Sequence, residues 1–272
     1  MMEVVSYGNQ IRCGKYELHS KFRSAANFVS KSDFVFLVNE NVGAGPINIV
    51  LHGIEMDPLR TLVVENDCLF LNNEKFSFTD SATYNPWFEF SNFDIDKFQL
   101  NLLSFESALI EYSPPKSLVF LLDDQRKDRF KSIFEIEFIR RLEDGIKIFL
   151  SDDILSGIRI LKGLGPGLTP SGDDFNSGVL IALNLLQKIT NIEYSRTINQ
   201  IFQTAIGENQ FTNAFLKCAA RGLLFEKFKK LVQSLVYFDE GEIIESTKRV
   251  LTSGETSGAD QAVGFLFGLK RF

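Results

Sequence analysis

Two segments of this chain fit one pattern. Residues 171–180 and 257–266 both read Ser-Gly-x-Asp-x-x-x-Gly-x-Leu. Each continues with a small residue four places after its second glycine (Ala182 and Gly268) and then with leucine (Leu183 and Leu269). Four-residue spacing puts the glycine and the small residue on one helix face. Each segment therefore predicts a helix with a narrow face that lets a second backbone come close. The Ser-Gly-x-Asp halves repeat polar groups at two helix starts, and we expect those starts to lie near each other and hold one ligand.

The first copy follows a glycine-rich loop, Gly-Leu-Gly-Pro-Gly-Leu-Thr-Pro, over residues 163–170. Gly163, Gly165 and Gly167 allow a tight bend and close approach to a ligand. Thr169 suits an N-cap, Pro170 a first helical residue, and Ser171 with Asp174 a capping box in which Asp replaces Glu. A glycine-rich turn that opens a helix is also an anion site, because unpaired N–H groups and the helix dipole point the same way. No Gly-Lys-Ser/Thr closes the loop, so it is not a P-loop, and Pro166 with no strand-helix-strand unit excludes a dinucleotide fingerprint.

These residues define the candidate site. The hydroxyls of Thr169, Ser171, Thr256 and Ser257 can donate to phosphate or carboxylate oxygens, or simply cap their helices. Backbone at Gly165, Gly167, Gly172 and Gly258 would approach the ligand. Asp173 and Asp174 suit a helix N-terminus as plain charge partners, or one of them orients a ligand NH₂ group or a cation; Asp260 occupies the matching place in the second copy. Lys162, with Arg159 before it, can supply positive charge. We take Lys162, Asp174 and Asp260 as candidate catalytic residues, with no metal ligands assigned. No cofactor is expected, and a divalent metal stays open. A second glycine-rich turn, from Asn39 through Gly43, Gly45 and Pro46 to Asn48, reads as a strand connection or as a loop facing the first.

Composition narrows the rest. The formal net charge is -6 and no basic run occurs, which argues against nucleic acid. The three cysteines show no C-x-x-C spacing, as expected of reduced thiols in the cytoplasm. The N-terminal residues lack a leader pattern, and no apolar run approaches the ~20 residues a membrane span needs. With only His19 and His52, a histidine triad or metal centre is not expected.

Residues 1–92 read as β-rich, with strands at 34–38, 47–51, 61–64 and 68–71 separated by Asn, Asp, Gly and Pro turns, and one helix at 20–30. A small barrel or sandwich follows from this spacing. Residues 93–272 read as helical: 94–112, 130–149 with a break near Gly145, 152–161, 171–188, 193–206, 209–221, 223–237, 239–251 and 257–269. Residues 117–122 fit a short strand or a helix start. The fold class expected is α+β.

The loop from Gly163 to Asp174 resembles the signature of a bacterial family of uncharacterised domains that includes a subunit of the oxamate carbamoyltransferase of anaerobic allantoin breakdown. The run from Thr256 to Asp260 with Gly264 is similar to the family's second motif, and Ala26-Asn27-Phe28 and Gly45-Pro46 resemble it too. The resemblance implies a cytosolic catabolic protein serving oxalurate + phosphate → carbamoyl phosphate + oxamate. It would bind a small anionic metabolite (phosphate, carbamoyl phosphate, oxamate or oxalurate) and work with partner subunits. Thr169, Ser171 and Gly172 would hold anion oxygens, Asp174 and Asp260 would orient an amide or amine, and Lys162 would add charge. A non-catalytic assembly subunit and a stand-alone metal-dependent enzyme are the alternatives.

Overall fold

In the computed structural model, residues 2–79, 81–89, 91 and 93–272 are described. The chain divides into two compact units: Met1–Trp87 with Leu223–Lys229, and Phe88–Gly222 with Lys230–Phe272. Residue 92, the expected end of the β-rich part, lies outside the described residues.

The first unit is a nine-stranded curled sheet, a half-barrel, ordered β8-β7-β6-β2-β3-β4-β5-β1-β9. Its strands are β1 (Glu3–Gly8), β2 (Gly14–Lys21), β3 (Ala25–Ser30), β4 (Asp33–Val38), β5 (Asn48–His52), β6 (Thr61–Val64), β7 (Cys68–Leu71), β8 (Glu74–Ser77) and β9 (Ala82–Tyr84). Register shifts between Val4 and Ser6 and between Leu18 and Ser20 mark bulges, which bend a sheet. One face buries Ala26, Phe28, Val35, Leu37, Ile49, Leu51, Leu62 and Leu69.

The helix expected over 20–30 is absent: β2 runs to Lys21, and β3 pairs antiparallel with β4 from Ala25↔Val38 to Ser30↔Asp33. Ala25-Ala26 carries good helix propensity, but Ala26 and Phe28, two apart, are both fully buried. That is a strand period, and burial overrides local preference. The turn from Asn39 to Asn48 is closed by Asn48 Nδ2 donating to Gly43 O at 2.9 Å and Ala44 N–H donating to Glu226 Oε2 at 2.8 Å.

The second unit is helical: α1 (Ile95–Tyr112), α2 (Ile133–Phe149), α3 (Ile154–Leu161), α4 (Ser171–Thr190), α5 (Ser195–Ala205), α6 (Gln210–Ala220), α8 (Glu240–Leu251) and α9 (Ser257–Arg271), together with α7 (Glu226–Tyr237) from Lys230 onward, its first four residues belonging to the first unit. Residues 118–121 and 124–129 form 3₁₀ turns. Helix α2 runs unbroken through Gly145, where a Cβ would stand 2.8 Å from Leu161 Cδ2; the glycine serves close packing against α3, not a kink. No helix among the described residues is long and apolar enough to cross a membrane.

Helix α4 is the centre of this unit, buried without interruption from Ser171 to Leu183. It packs on α9 through the predicted narrow faces. A Cβ on Gly178 would lie 2.0 Å from Gln261 O, and one on Gly264 would lie 2.1 Å from Phe175 O. A Cβ on Gly268 would lie 2.7 Å from Ala182 Cβ. Phe175 meets Gly264 and Ala182 meets Gly268, so the two helices run parallel and their N-termini fall at the same end.

Candidate functional site

The repeat in sequence is a repeat in space. Helix α3 enters α4 through the 162–170 loop, and α8 enters α9 through residues 252–256. Each second-position glycine seats its helix against a carbonyl in the last turn of the previous one: a Cβ on Gly172 would fall 1.9 Å from Leu161 O, and one on Gly258 would fall 2.1 Å from Val250 O. Their N–H groups are committed as well. Gly172 N–H donates to Leu164 O at 2.8 Å and Gly258 N–H to Ser253 O at 2.9 Å. Both glycines are thus packing positions with their backbone donors already bonded.

The loop before α4 is held from several sides. Gly163, Gly165 and Gly167 all have positive φ, at 69°, 121° and 93°, which glycine adopts without a Cβ penalty. Gly163 N–H donates to Asp173 Oδ1 at 2.8 Å. Leu168 O accepts from Asn209 Nδ2 at 2.8 Å and Thr212 Oγ1 at 3.1 Å. Gly163 and Gly167 are exposed, with nothing within 4 Å of where a Cβ would stand.

The expected caps do not form. Pro170, with extended backbone, is the N-cap of α4, Thr256 is that of α9, and neither helix has a side-chain capping bond. Elsewhere in the unit Asp94, Ser132, Asp153, Asn209 and Asp239 cap their helices conventionally. Of the hydroxyls that sequence offered as caps, those of Thr169, Ser171 and Ser257 reach toward the other helix start, while that of Thr256 acts on Asp260 of its own helix. Thr169 Oγ1 and Ser257 Oγ are 2.8 Å apart. Ser257 and Thr169 favour the ionised form of Asp174, whereas Ser171 and Thr256 favour that of Asp260. Each aspartate is thus served by the serine at the start of the opposite helix.

Burial dominates the electrostatics. Asp173 is pushed up to about 6 by desolvation, opposed by the Gly163 N–H and the charge of Lys162. Asp260 is wholly buried and pushed up to about 6 for the same reason, opposed by the N–H of Leu118, which donates to its Oδ1 at 2.6 Å, and by the two hydroxyls. Asp174 is raised well above the usual carboxylate range, first by burial and then by the charge of Asp260. The buried Oδ2 atoms of Asp174 and Asp260 have no hydrogen-bond partner among the described residues.

Lys162, Gly165, Gly167, Thr169, Ser171, Gly172, Asp173 and Asp174 therefore share one end of the α4–α9 pair with Thr256, Ser257, Gly258 and Asp260. Lys162 is exposed at the end of α3. The contribution missed from sequence is Leu118: a backbone N–H on a 3₁₀ turn leaves no side-chain signature. Among the described residues, the three acidic or sulfur ligand atoms that gather within 4.8 Å of one another belong to Glu65, Asp67 and Cys68 in the first unit.

The model of one family, described as the oxamate carbamoyltransferase subunit AllH, matches residues 161–269. Over these residues the chain is similar to the AllH family. The match opens on the last residue of α3 and closes within α9, so it takes in both helix starts and every candidate site residue. Ala26-Asn27-Phe28 and Gly45-Pro46 lie outside it. The AllH description names a subunit. No curated protein and no solved structure matches the chain.

Proposed function

We propose that the chain is a subunit of an oxamate carbamoyltransferase, or a relative of one, and that the paired starts of α4 and α9 bind a carbamoyl-bearing anion. In the reaction the carbon–nitrogen bond of oxalurate breaks, a phosphate oxygen bonds the carbamoyl carbon, and the proton of hydrogen phosphate ends on the oxamate nitrogen. Little of this needs a nucleophilic side chain. It needs two reactants held in line and a place for the charge that develops on the carbonyl oxygen.

The observation that carries this reading is the crossing of hydroxyls and carboxylates between two uncapped parallel helices. Ordinary helix starts use such hydroxyls on their own N–H groups. Here the positive ends of two helix dipoles meet instead, beside exposed Gly163 and Gly167, with the charge of Lys162 acting on Asp173. Anion oxygens would be met by Thr169, Ser171 and the loop, and the carbamoyl group by Asp174 and Asp260. The AllH match supports the substrate class, and its subunit description supports measuring turnover with partner chains present.

Oxamate, oxalurate, carbamoyl phosphate and phosphate, titrated separately, test the site. At least one should raise the melting temperature of the chain, since a ligand bound to the native state stabilises it. Ser171→Ala should weaken that ligand about 10- to 100-fold, the worth of a hydrogen bond to a charged group, with helical circular dichroism unchanged. Equal affinity in the variant and the parent would refute the assignment.

A further inference from the structure

With both carboxylates ionised, the buried ends of α4 and α9 hold more negative charge than their surroundings neutralise. Each helix start contributes about +0.5 elementary charge, so two supply about +1 against the two carboxylates of Asp174 and Asp260. Lys162 acts on Asp173, not on this pair. What acts on Asp260 is one backbone N–H and two hydroxyls. Both carboxylates are at least nine-tenths buried, Asp174 at 8% and Asp260 at 0% exposure, and each has one buried oxygen, Oδ2, without a hydrogen-bond partner among the described residues. Buried carboxylates persist only when paired, protonated or bound to a metal. An anionic ligand at the same helix starts deepens the imbalance.

We propose that Asp174 and Asp260 hold a divalent cation of the oxygen-preferring class, Mg²⁺ or Mn²⁺, between the starts of α4 and α9. The donor set is hard: one unpartnered carboxylate oxygen from each aspartate, with the hydroxyls of Ser171, Ser257, Thr169 and Thr256 at the same two helix starts. Mg²⁺ is commonly held by one or two carboxylates with the rest of its shell left to water and substrate oxygens. The Leu118 N–H fixes Asp260 through Oδ1 and leaves Oδ2 available. A dication takes the local charge from about −1 to about +1, the sign a phosphate or oxamate needs; one proton reaches only neutrality. The inference deepens the reading above, since the carbamoyl oxygen then meets the carboxylate pair through the cation, but it does not rest on which anion binds.

Mn²⁺ titrated into the chelator-stripped full chain, followed by loss of the free-ion electron paramagnetic resonance signal, decides it. We expect one tight site, competed by Mg²⁺, that weakens more than about ten-fold in Asp174→Asn and in Asp260→Asn. Glu65→Gln, which alters the acidic cluster of the first unit, should leave it intact. Saturable binding lost in Glu65→Gln but kept in the aspartate variants overturns the proposal, as does no binding in the parent chain. If oxamate or carbamoyl phosphate still binds in a Ser171-dependent way without any Mn²⁺ site, the cation proposal falls and the anion site stands. An Mn²⁺ site in a chain that binds none of the four anions keeps the cation proposal and removes the carbamoyl reading.

Discussion

Gly264→Leu unfolds the helical unit. The glycine's Cβ direction ends 2.1 Å from the carbonyl oxygen of Phe175 and 2.7 Å from its carbonyl carbon and Cα. These are backbone atoms of the most buried helix in the unit, so no rotamer change makes room. The helices must separate, which removes the contacts of Val179, Ala182 and Phe265, all fully buried. Overpacking a core costs about 1–3 kcal/mol where side chains can yield. Here backbone must move, and we expect about 4–5 kcal/mol, the diagnostic end of single-substitution effects. Gly178→Leu should match it, because the same contact recurs against Gln261 O at 2.0 Å. Gly241→Ala in α8 is the control: its nearest neighbour is Asp239 Oδ1 at 3.6 Å, and alanine there should be neutral or stabilise by up to about 1 kcal/mol. Denaturant unfolding followed by helical circular dichroism measures all three. A Gly264→Leu chain as stable as its parent would mean α4 and α9 do not touch at this face.

In chelator-containing buffer the helical unit is more stable at mildly acidic pH than at alkaline pH, the reverse of common acid behaviour. The sign follows from the direction of the shifts. Asp173 and Asp260 are raised from 3.8 to about 6 in the folded chain, so between these values the native state holds protons that the unfolded chain has released. Stability from each group is complete below the unfolded value and is lost as pH rises through the folded one. One pH unit below the folded value each retains on the order of 1 kcal/mol, so the two together favour pH ~5 over pH ~8 by roughly 2–3 kcal/mol. Asp174 is shifted the same way and adds to it. Glu135, lowered to about 2 by Lys116 and the Ser132 cap, is ionised throughout this range and does not oppose the trend. Asp260→Asn keeps an acceptor for the Leu118 N–H and removes the charge, so it should flatten the profile and raise the alkaline melting temperature. An unchanged profile in Asp260→Asn would show that this carboxylate does not titrate with folding.

The parts of the molecule legible in sequence are those whose signal is periodic. Helix α4 and helix α9, with glycine and a small residue on one face, were readable as a close pair because that face has few other uses. The neighbouring helix starts also followed from the repeated Ser-Gly-x-Asp. Strands β4 to β7 are apolar runs bounded by turn residues. Strands β1, β2 and β3 mix polar and small residues, and β3 borrows helix-favouring alanines, so only pairing with β4 reveals it. Side-chain roles at the site were less legible. Thr169 and Ser171 have cap-forming chemistry, but Pro170 holds an extended backbone and starts the helix one residue later, which frees both hydroxyls. Gly172 and Gly258 look like ligand-approach glycines and instead seat each helix on the last carbonyls of its predecessor. The crossing of Ser257 to Asp174 and Ser171 to Asp260 depends on the parallel alignment of two distant segments, which local pattern does not encode.

Everything proposed for the site depends on the turn before α4 meeting the turn before α9. The most direct measurement is a cross-link between them, using Thr169→Cys with Ser257→Cys in a Cys13→Ser background, since Cys13 is the exposed native thiol and Cys68 and Cys218 are buried. The parent hydroxyl oxygens stand 2.8 Å apart, so the two side chains meet tip to tip, as the two sulfurs of a disulfide must. Mild oxidation of the folded chain should close this bond nearly completely, with loss of both reactive thiols and retention of helical circular dichroism. Two thiols that stay free and reactive in the folded protein would mean that the helix starts do not converge.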